Sequence, residues 1–505
     1  MTGAAGDFNV EETTIVALQA AMQSGRLTAE ALADIYIRRI QAIDKSGPTL
    51  RSVQELNPDA LAIAKALDVE RRTKGARGPL HGIPVLLKDN IATADKMENT
   101  AGALALVGAR VHEDAFVAKK LREAGAVILG KASMSEWAYF KSAPGVSGWS
   151  ARNGQGKNPY VLDRTPCGSS SGSAIAVAAN LVAVSIGTET DGSIMCPSGV
   201  NGVVGIKPTV GLTSRSGVIP ISATQDTIGP FGRTVADAAA VLGAMVGVDP
   251  RDAATQASVG KSHADYTRFL DENALRGARI GVPREGYFGY SGKTDAVINQ
   301  AIEILRYQGA EVVDPVKIPN FDRSVLNAAE IIVLLYEFKA GVNAYLAEVT
   351  GARVKTLEEV IAFNRRDAGA NLPFMGQELL ERAQAKGGLT DKEYLDALEK
   401  CRTLGRDSFD AALNDNTLDA LVAPTTTPAW PYDVVNGDQF RGSSAKSAAL
   451  GGYPLVSVPA GQVQGLPIGI TFMGRAWSEP TLLKLAYAFE QATGARFTPT
   501  YRPTA

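Results

Sequence analysis

Two serine-rich loops carry most of the chemistry this sequence could perform. Pro166-Cys167-Gly168-Ser169-Ser170-Ser171-Gly172-Ser173 and Thr188-Glu189-Thr190-Asp191-Gly192-Ser193-Ile194 flank an uncharged run from Ala174 to Gly187. Glycines beside a serine let bare backbone N–H groups face whatever that serine attacks, as nucleophilic catalysis with a developing oxyanion requires. A third segment, Gly82-Ile83-Pro84-Val85-Leu86-Leu87-Lys88-Asp89-Asn90, puts Lys88 at the end of an apolar stretch. Burial there disfavours the ammonium, lowers the pKa from about 10.4 and leaves an amine able to accept a proton. The ordinary alternative is a lysine paired with Asp89 or reaching to solvent.

Other chemistries fit less well. Gly168-Ser169-Ser170-Ser171-Gly172 satisfies G-x-S-x-G with Ser170 central, but that arrangement needs an acid and then a histidine late in the chain. Of the three histidines, His81, His112 and His263, only His263 follows Ser170, and it lies far from the C-terminus. Ser-x-x-Lys occurs at Ser258–Lys261 and Ser443–Lys446 without Ser-Asp-Asn or Lys-Thr-Gly. Both therefore read as solvated loops. The glycines lack the Gly-Lys-Ser/Thr ending of a phosphate-binding loop. His81 reads as a packing or hydrogen-bonding residue. Cys167, Cys196 and Cys401 form an odd, scattered set that suggests neither a disulfide framework nor a zinc site, with Cys167 and Cys196 read as small buried hydrophobes at tight loops.

The elements that must hold these loops alternate between strand and helix. Short apolar runs at Ile83–Leu87 and Ala126–Leu129 bracket a helix near Ala115–Ala124, and the uncharged run reads as a buried helix followed by a buried strand. A second alternating block starts at Arg279-Ile280-Gly281, with further strands at Ala420–Val422 and Ile468–Phe472. Such alternation argues for an α/β layer architecture. Before it, Thr28 caps an amphipathic run to Ile43 and Asn57-Pro58 reads as an N-cap with proline at the first helical position, so the N-terminal portion is expected to be helical. Residues from about 320 to 412 read as mostly helical and as an insertion over the core.

Composition narrows the partners. Of 505 residues 45% are hydrophobic, ample for a large core, and 51 basic residues against 53 acidic ones form no basic cluster with interleaved aromatics. Nucleic acid and membrane surfaces are accordingly not expected as partners. Met1 to Glu12 shows no charged segment followed by an apolar run, which points to a cytoplasmic protein unless a signal peptide has been removed.

Lys88 and the two serine loops, in this order and spacing, together resemble the amidase signature family across about Leu80 to Pro208, with weaker similarity over most of the remaining chain. In that family a Gly-Gly-Ser-Ser-Gly-Gly loop supplies a serine on a cis peptide bond and a Gly-Gly-Ser-Ile loop supplies the nucleophile. The resemblance implies Ser193 as nucleophile, Ser169 as bridging serine, Lys88 as base and the backbone N–H groups of Thr190, Asp191, Gly192 and Ser193 as oxyanion hole, with no metal or organic cofactor. It also implies a mixed β-sheet core covered by helices on both faces. The expected layout is one domain over residues 1–505, with a helical part to about 75, a signature core at about 80–210 and a helical insertion at about 320–412 covering the site.

The departures from the family pattern carry information of their own. Asp191 stands where the family usually has Gly, Glu189 where it has Asp, and Met195 where it has Arg two places after the nucleophile. Losing that Arg weakens a likeness to the subunit that supplies ammonia in tRNA-linked amidation. These residues with Cys196-Pro197, and the stretches Leu335–Gly341, Phe374–Leu379 and Phe472–Pro480, look like the bacterial peptide amidases. Those enzymes remove the C-terminal amide of a peptide and release ammonia. The expected partner is then a peptide amide or small amide, handled by a monomer or homodimer. The alternatives are a general aliphatic or aryl amidase and an ammonia-supplying amidotransferase subunit.

Overall fold

An eleven-stranded mixed sheet organises residues 8–505, which the computed structural model describes. Its strands are β1 (Val53–Leu56), β2 (Pro84–Lys88), β3 (Val127–Ala132), β4 (Val184–Glu189), β5 (Val204–Lys207), β6 (Thr227–Gly232), β7 (Arg279–Gly281), β8 (Glu311–Val313), β9 (Ala420–Pro424), β10 (Leu455–Val463) and β11 (Leu466–Met473). Across the sheet they run β1-β3-β2-β4-β6-β5-β10-β11-β9-β7-β8. The neighbours of β2, namely β3 and β4, lie parallel to it, as β7 lies to β8 and β9. From β4 through β6, β5, β10 and β11 to β9 the pairing is antiparallel. Every residue of β2, β3 and β4 is buried, which is why these strands read as continuous apolar runs rather than alternating ones.

The uncharged run resolves into a helix, Ser171–Ala178, and then β4. All eight residues of that helix are buried, and it packs on β2, β3 and β4. The Phe116–Glu123 helix between β2 and β3 lies where the sequence puts one. No helix among the described residues is long and apolar enough to cross a membrane.

The N-terminal portion departs from the all-helical expectation. Thr28 does cap, its hydroxyl accepting from Ala31 N at 3.0 Å, but the run to Ile43 is an α-helix, Ala29–Arg39, followed by a π-helical turn, Ile40–Lys45. Asn57-Pro58 does not start a helix. The third helix begins at Ala60, because Asn57 Oδ1 takes the N–H of Asp59 at 3.0 Å and closes a turn first. Between these elements β1 pairs antiparallel with β3 at the sheet edge. The region 320–412 holds the helices Arg323–Glu348, Leu357–Arg366, Glu378–Gln384 and Lys392–Cys401. Phe338, in the longest of them, is fully buried against Phe140 and Trp137, with ring centroids 4.9 and 6.1 Å away.

Candidate active site

Because β2 and β4 are parallel neighbours, their carboxyl ends lie side by side, the place where open α/β sheets present ligand sites. Lys88 closes β2, and Thr188-Glu189 closes β4 and leads into the second serine loop. The first loop returns beside them ahead of helix Ser171–Ala178. Three segments far apart in the chain thus meet at one point.

Lys88 is completely buried. Its Nζ lies 2.7 Å from Ser169 Oγ, 2.8 Å from Thr188 Oγ1 and 3.2 Å from Thr188 O. Burial lowers its pKa to about 7, against the opposing pull of Asp226 and Glu189. Ser169 follows a cis Gly168–Ser169 peptide bond and is itself buried. A Cβ on Gly168 would collide with Ser135 Oγ, so only glycine lets the loop approach so closely.

Ser193 opens onto a cavity of about 390 Å3, together with Thr190, Asp191, Gly192 and Gly168. Gly192 turns this loop at a φ of +83°, which side-chain-bearing residues rarely adopt. Its flanks are tied down. Glu189 Oε2 accepts from Ile194 N at 2.6 Å and Met195 N at 2.9 Å. Thr190 Oγ1 donates to Asp226 Oδ1 at 2.5 Å, while Asp226 Oδ2 takes the N–H groups of Ile221 and Ser222 at 2.8 and 2.9 Å. Burial raises the pKa of both acids, and these donors oppose the rise.

The competing arrangement is not assembled. Ser170 Oγ donates to Thr188 O at 2.9 Å, and Ser170 is buried behind the loop. His263 packs edge-on against Phe269 and Tyr266 instead, with ring centroids 4.8 and 5.6 Å away. His81 is buried with Nε2 2.9 Å from Leu67 O, and its Nδ1 accepts from Arg77 N at 3.3 Å, a structural role.

Two expectations require correction. Cys167 and Cys196 form a disulfide, with Cα atoms 5.9 Å apart despite a sequence separation of 29. The bridge ties one serine loop to the other, because both loops converge at the ends of β2 and β4. Cys401 remains free and buried, and so accounts for the odd count. Lys446 is not on a solvated loop either. It is buried, with Nζ 2.5 Å from Asp191 Oδ2 and in contact with Glu330 Oε2, while Gln225 Nε2 donates to Glu330 Oε1 at 2.8 Å. The two carboxylates outweigh burial and raise its pKa. The one legible signal for this cation was Asp191 itself, an acid that stands where the family usually has Gly and calls for a partner. At Ser258–Lys261 the expectation holds for the exposed Lys261, whose Nζ lies 4.7 Å over the Trp477 ring.

The cavity walls come chiefly from residues 138–147 and 430–440. From the helical region, Leu334 reaches the cavity and Phe338 backs Phe140.

Known proteins match this arrangement along nearly the whole chain. The sequence matches the family described as Amidase over residues 31–483. The native peptide amidase of Stenotrophomonas maltophilia is 52% identical and superposes with a TM-score of 0.92, covering 97% of this chain and 99% of that one. The peptide amidase PAM in complex with the competitive inhibitor chymostatin is also 52% identical, with a TM-score of 0.94 over 98% of this chain and 100% of that one. A probable amidase of Arabidopsis thaliana is 47% identical over 98% of this chain and 92% of its own length. A glutamyl-tRNA(Gln) amidotransferase subunit of Chloroflexus aurantiacus is 37% identical over 95% and 96% of the respective lengths. The chain belongs to the amidase signature family, and it is an amide hydrolase.

Proposed function

We propose that the protein hydrolyses the C-terminal carboxamide of peptides through a Ser193–Ser169–Lys88 relay. The observation that carries this reading is the buried Lys88 amine, its pKa lowered to about 7, at 2.7 Å from Ser169 Oγ. Neutral Lys88 accepts the Ser169 proton as Ser169 accepts that of Ser193, and Ser193 Oγ bonds to the amide carbon. Backbone N–H groups of Thr190, Asp191, Gly192 and Ser193 receive the oxyanion, each such donor being worth about 3 kcal/mol. The relay then returns a proton to the leaving nitrogen, the C–N bond breaks and ammonia departs. Water, deprotonated by the same relay, attacks the acyl-enzyme, releases the peptide carboxylate and restores Ser193.

The peptide amide as substrate is supported by the 52% identity to peptide amidases over nearly the full chain, and by an apolar cavity wide enough for an acyl portion larger than acetyl. In this reading residues 1–505 act as one domain whose helical block at about 320–412 covers the site, as a monomer or homodimer. The Cys167–Cys196 bridge favours an oxidising compartment over the cytoplasm.

The test compares kcat/KM for a dipeptide amide, the free-acid peptide with a Gln side chain, and acetamide. Hydrolysis of the dipeptide amide alone is expected. Equal rates on acetamide would make the chain a general amidase. Ammonia release only on addition of a partner protein would favour the amidotransferase reading, to which the 37% identical relative lends weight.

A further inference from the structure

The cavity at Ser193 has an unusual charge set for a site whose product is a carboxylate. Its lining is largely apolar and aromatic, including Tyr139, Phe140, Ile221, Leu334, Trp430 and Phe440, and holds no Lys, Arg or His. Two carboxylates belong to it, Asp191 and Asp438. Asp191 is neutralised by Lys446.

Asp438 has no such partner. Its Oδ1 accepts from Trp430 Nε1 at 3.0 Å, and its Oδ2 accepts from Ser147 N at 3.0 Å and Ser147 Oγ at 2.5 Å. All three donors are neutral. Burial raises the Asp438 pKa, and these donors, with the nearby Tyr139 hydroxyl, oppose that rise and fix the direction of the carboxylate without supplying a countercharge. Among the described residues no cation pairs with it. The indole of Trp430 lies edge-on to Phe440, with ring centroids 6.0 Å apart, so aromatic surface flanks the carboxylate. A fixed, uncompensated carboxylate beside aromatic rings is the chemistry that receives an ammonium or guanidinium group.

We infer that Asp438 makes this cavity select substrates carrying a cation on the acyl side of the scissile amide. The inference rests on the amide-hydrolase reading of Ser193, in which ammonia is the leaving group. Everything else in the substrate then lies on the acyl side and shares the cavity with Asp438. The cation can come from a Lys or Arg side chain at the C-terminal residue or from the α-ammonium of a dipeptide amide. An anionic side chain would be repelled, and so would the carboxylate product, which favours its release.

The experiment measures kcat/KM of the full chain on Nα-acetyl-lysinamide, Nα-acetyl-norleucinamide, Nα-acetyl-glutaminamide and Nα-acetyl-glutamic acid α-amide. Leucyl-norleucinamide, with and without Nα-acetylation, then isolates the α-ammonium. A cationic substrate is expected to exceed its neutral counterpart about tenfold, and the glutamic acid amide to fall about tenfold below the glutamine one. The pair that shows the excess identifies which cation reaches Asp438. In Asp438→Asn each of these ratios is expected to fall to near one. A wild-type series indifferent to charge overturns the assignment without any variant, and so does an Asp438→Asn enzyme that keeps the wild-type ratios. The single-residue amides are within reach of a general amidase too. The charge ratio is therefore read even if dipeptide amides are not hydrolysed, an outcome that would sink the peptide-amide reading alone.

Discussion

Replacing Lys88 with methionine should abolish activity and stabilise the protein at the same time. The unfolded chain holds this lysine near a pKa of 10.5, and the fold lowers it to about 7, which corresponds to on the order of 5 kcal/mol of unfavourable burial at neutral pH. The methionine would remove that cost but leave Ser169 Oγ, Thr188 Oγ1 and Thr188 O without their common partner, a loss of about 1–3 kcal/mol. A net gain of about 2–4 kcal/mol follows at about pH 6 to 7. The sign depends on pH. Between the folded and unfolded pKa values the unfolded chain binds more protons, so wild-type stability rises from about pH 7 to 10.5 and is lost again as pH falls back to 7. The advantage of Lys88→Met should shrink across that window and reverse near its top, where only the lost hydrogen bonds count. Calorimetric unfolding of both proteins at several pH values measures this directly. Turnover gives the other half: wild-type kcat/KM should fall about tenfold per pH unit below about 7, and Lys88→Met should lose a factor of at least about 10^3 in kcat. A variant less stable than wild type at pH 6, or a stability difference independent of pH, would refute the buried neutral amine.

Ser193→Ala is expected to end turnover with little change in stability, whereas Ser170→Ala, which breaks a hydrogen bond to Thr188 O, should cost about 1 kcal/mol and keep activity. Mass mapping after a serine-reactive phosphonate should find the adduct on Ser193, and an adduct on Ser170 would reverse the assignment. Opening the Cys167–Cys196 bridge with a dithiol, or by Cys167→Ser with Cys196→Ser, frees a loop of 29 residues and should destabilise the protein by about 3–4 kcal/mol. Thermal unfolding with thiol counting checks it. Lys446→Met leaves Glu330 buried and the half-buried Asp191 beside it without their cation and should destabilise by about 3 kcal/mol. Because Asp191 lies in the loop that carries Ser193, kcat should drop more than KM rises, and the triple change with Asp191→Gly and Glu330→Met should recover stability.

What the sequence made legible is what local chemistry decides. Strands β2 and β4 are buried on both faces, so their apolar runs announce them, and the motifs that end them, with the serine loop ahead of helix Ser171–Ala178, bring Lys88, Ser193 and Ser169 to one place. Strand β1 is short, mixed in polarity and stabilised by its pairing with β3, a contact no local pattern encodes. Cys167–Cys196, Asp191–Lys446 and the Asp438 contacts to Ser147 and Trp430 are likewise products of topology. In each case one partner looks ordinary until the sheet order sets the other beside it. Asn57-Pro58 failed for the opposite reason: a local signal was present, but Asn57 satisfied Asp59 N in a turn before the helix began.

The two buried lysines of this site show how one fold sets opposite charge states within it. Both have carboxylates nearby, so proximity to acids alone does not distinguish them. Around Lys88 the acids are already committed, Asp226 to Thr190, Ile221 and Ser222 and Glu189 to Ile194 and Met195, and neither touches Nζ. Their distant pull does not offset burial, and the amine is left able to take a proton at neutral pH. Lys446 contacts Asp191 and Glu330 directly, so its charge is held and its pKa rises. A carboxylate oxygen freed to reach Lys88, for example by removing the Oδ1 donor of Asp226 with Thr190→Val, should therefore raise the Lys88 pKa and move the acidic limb of kcat/KM to higher pH. An unchanged limb would mean that burial alone sets the base, whatever the neighbouring acids do.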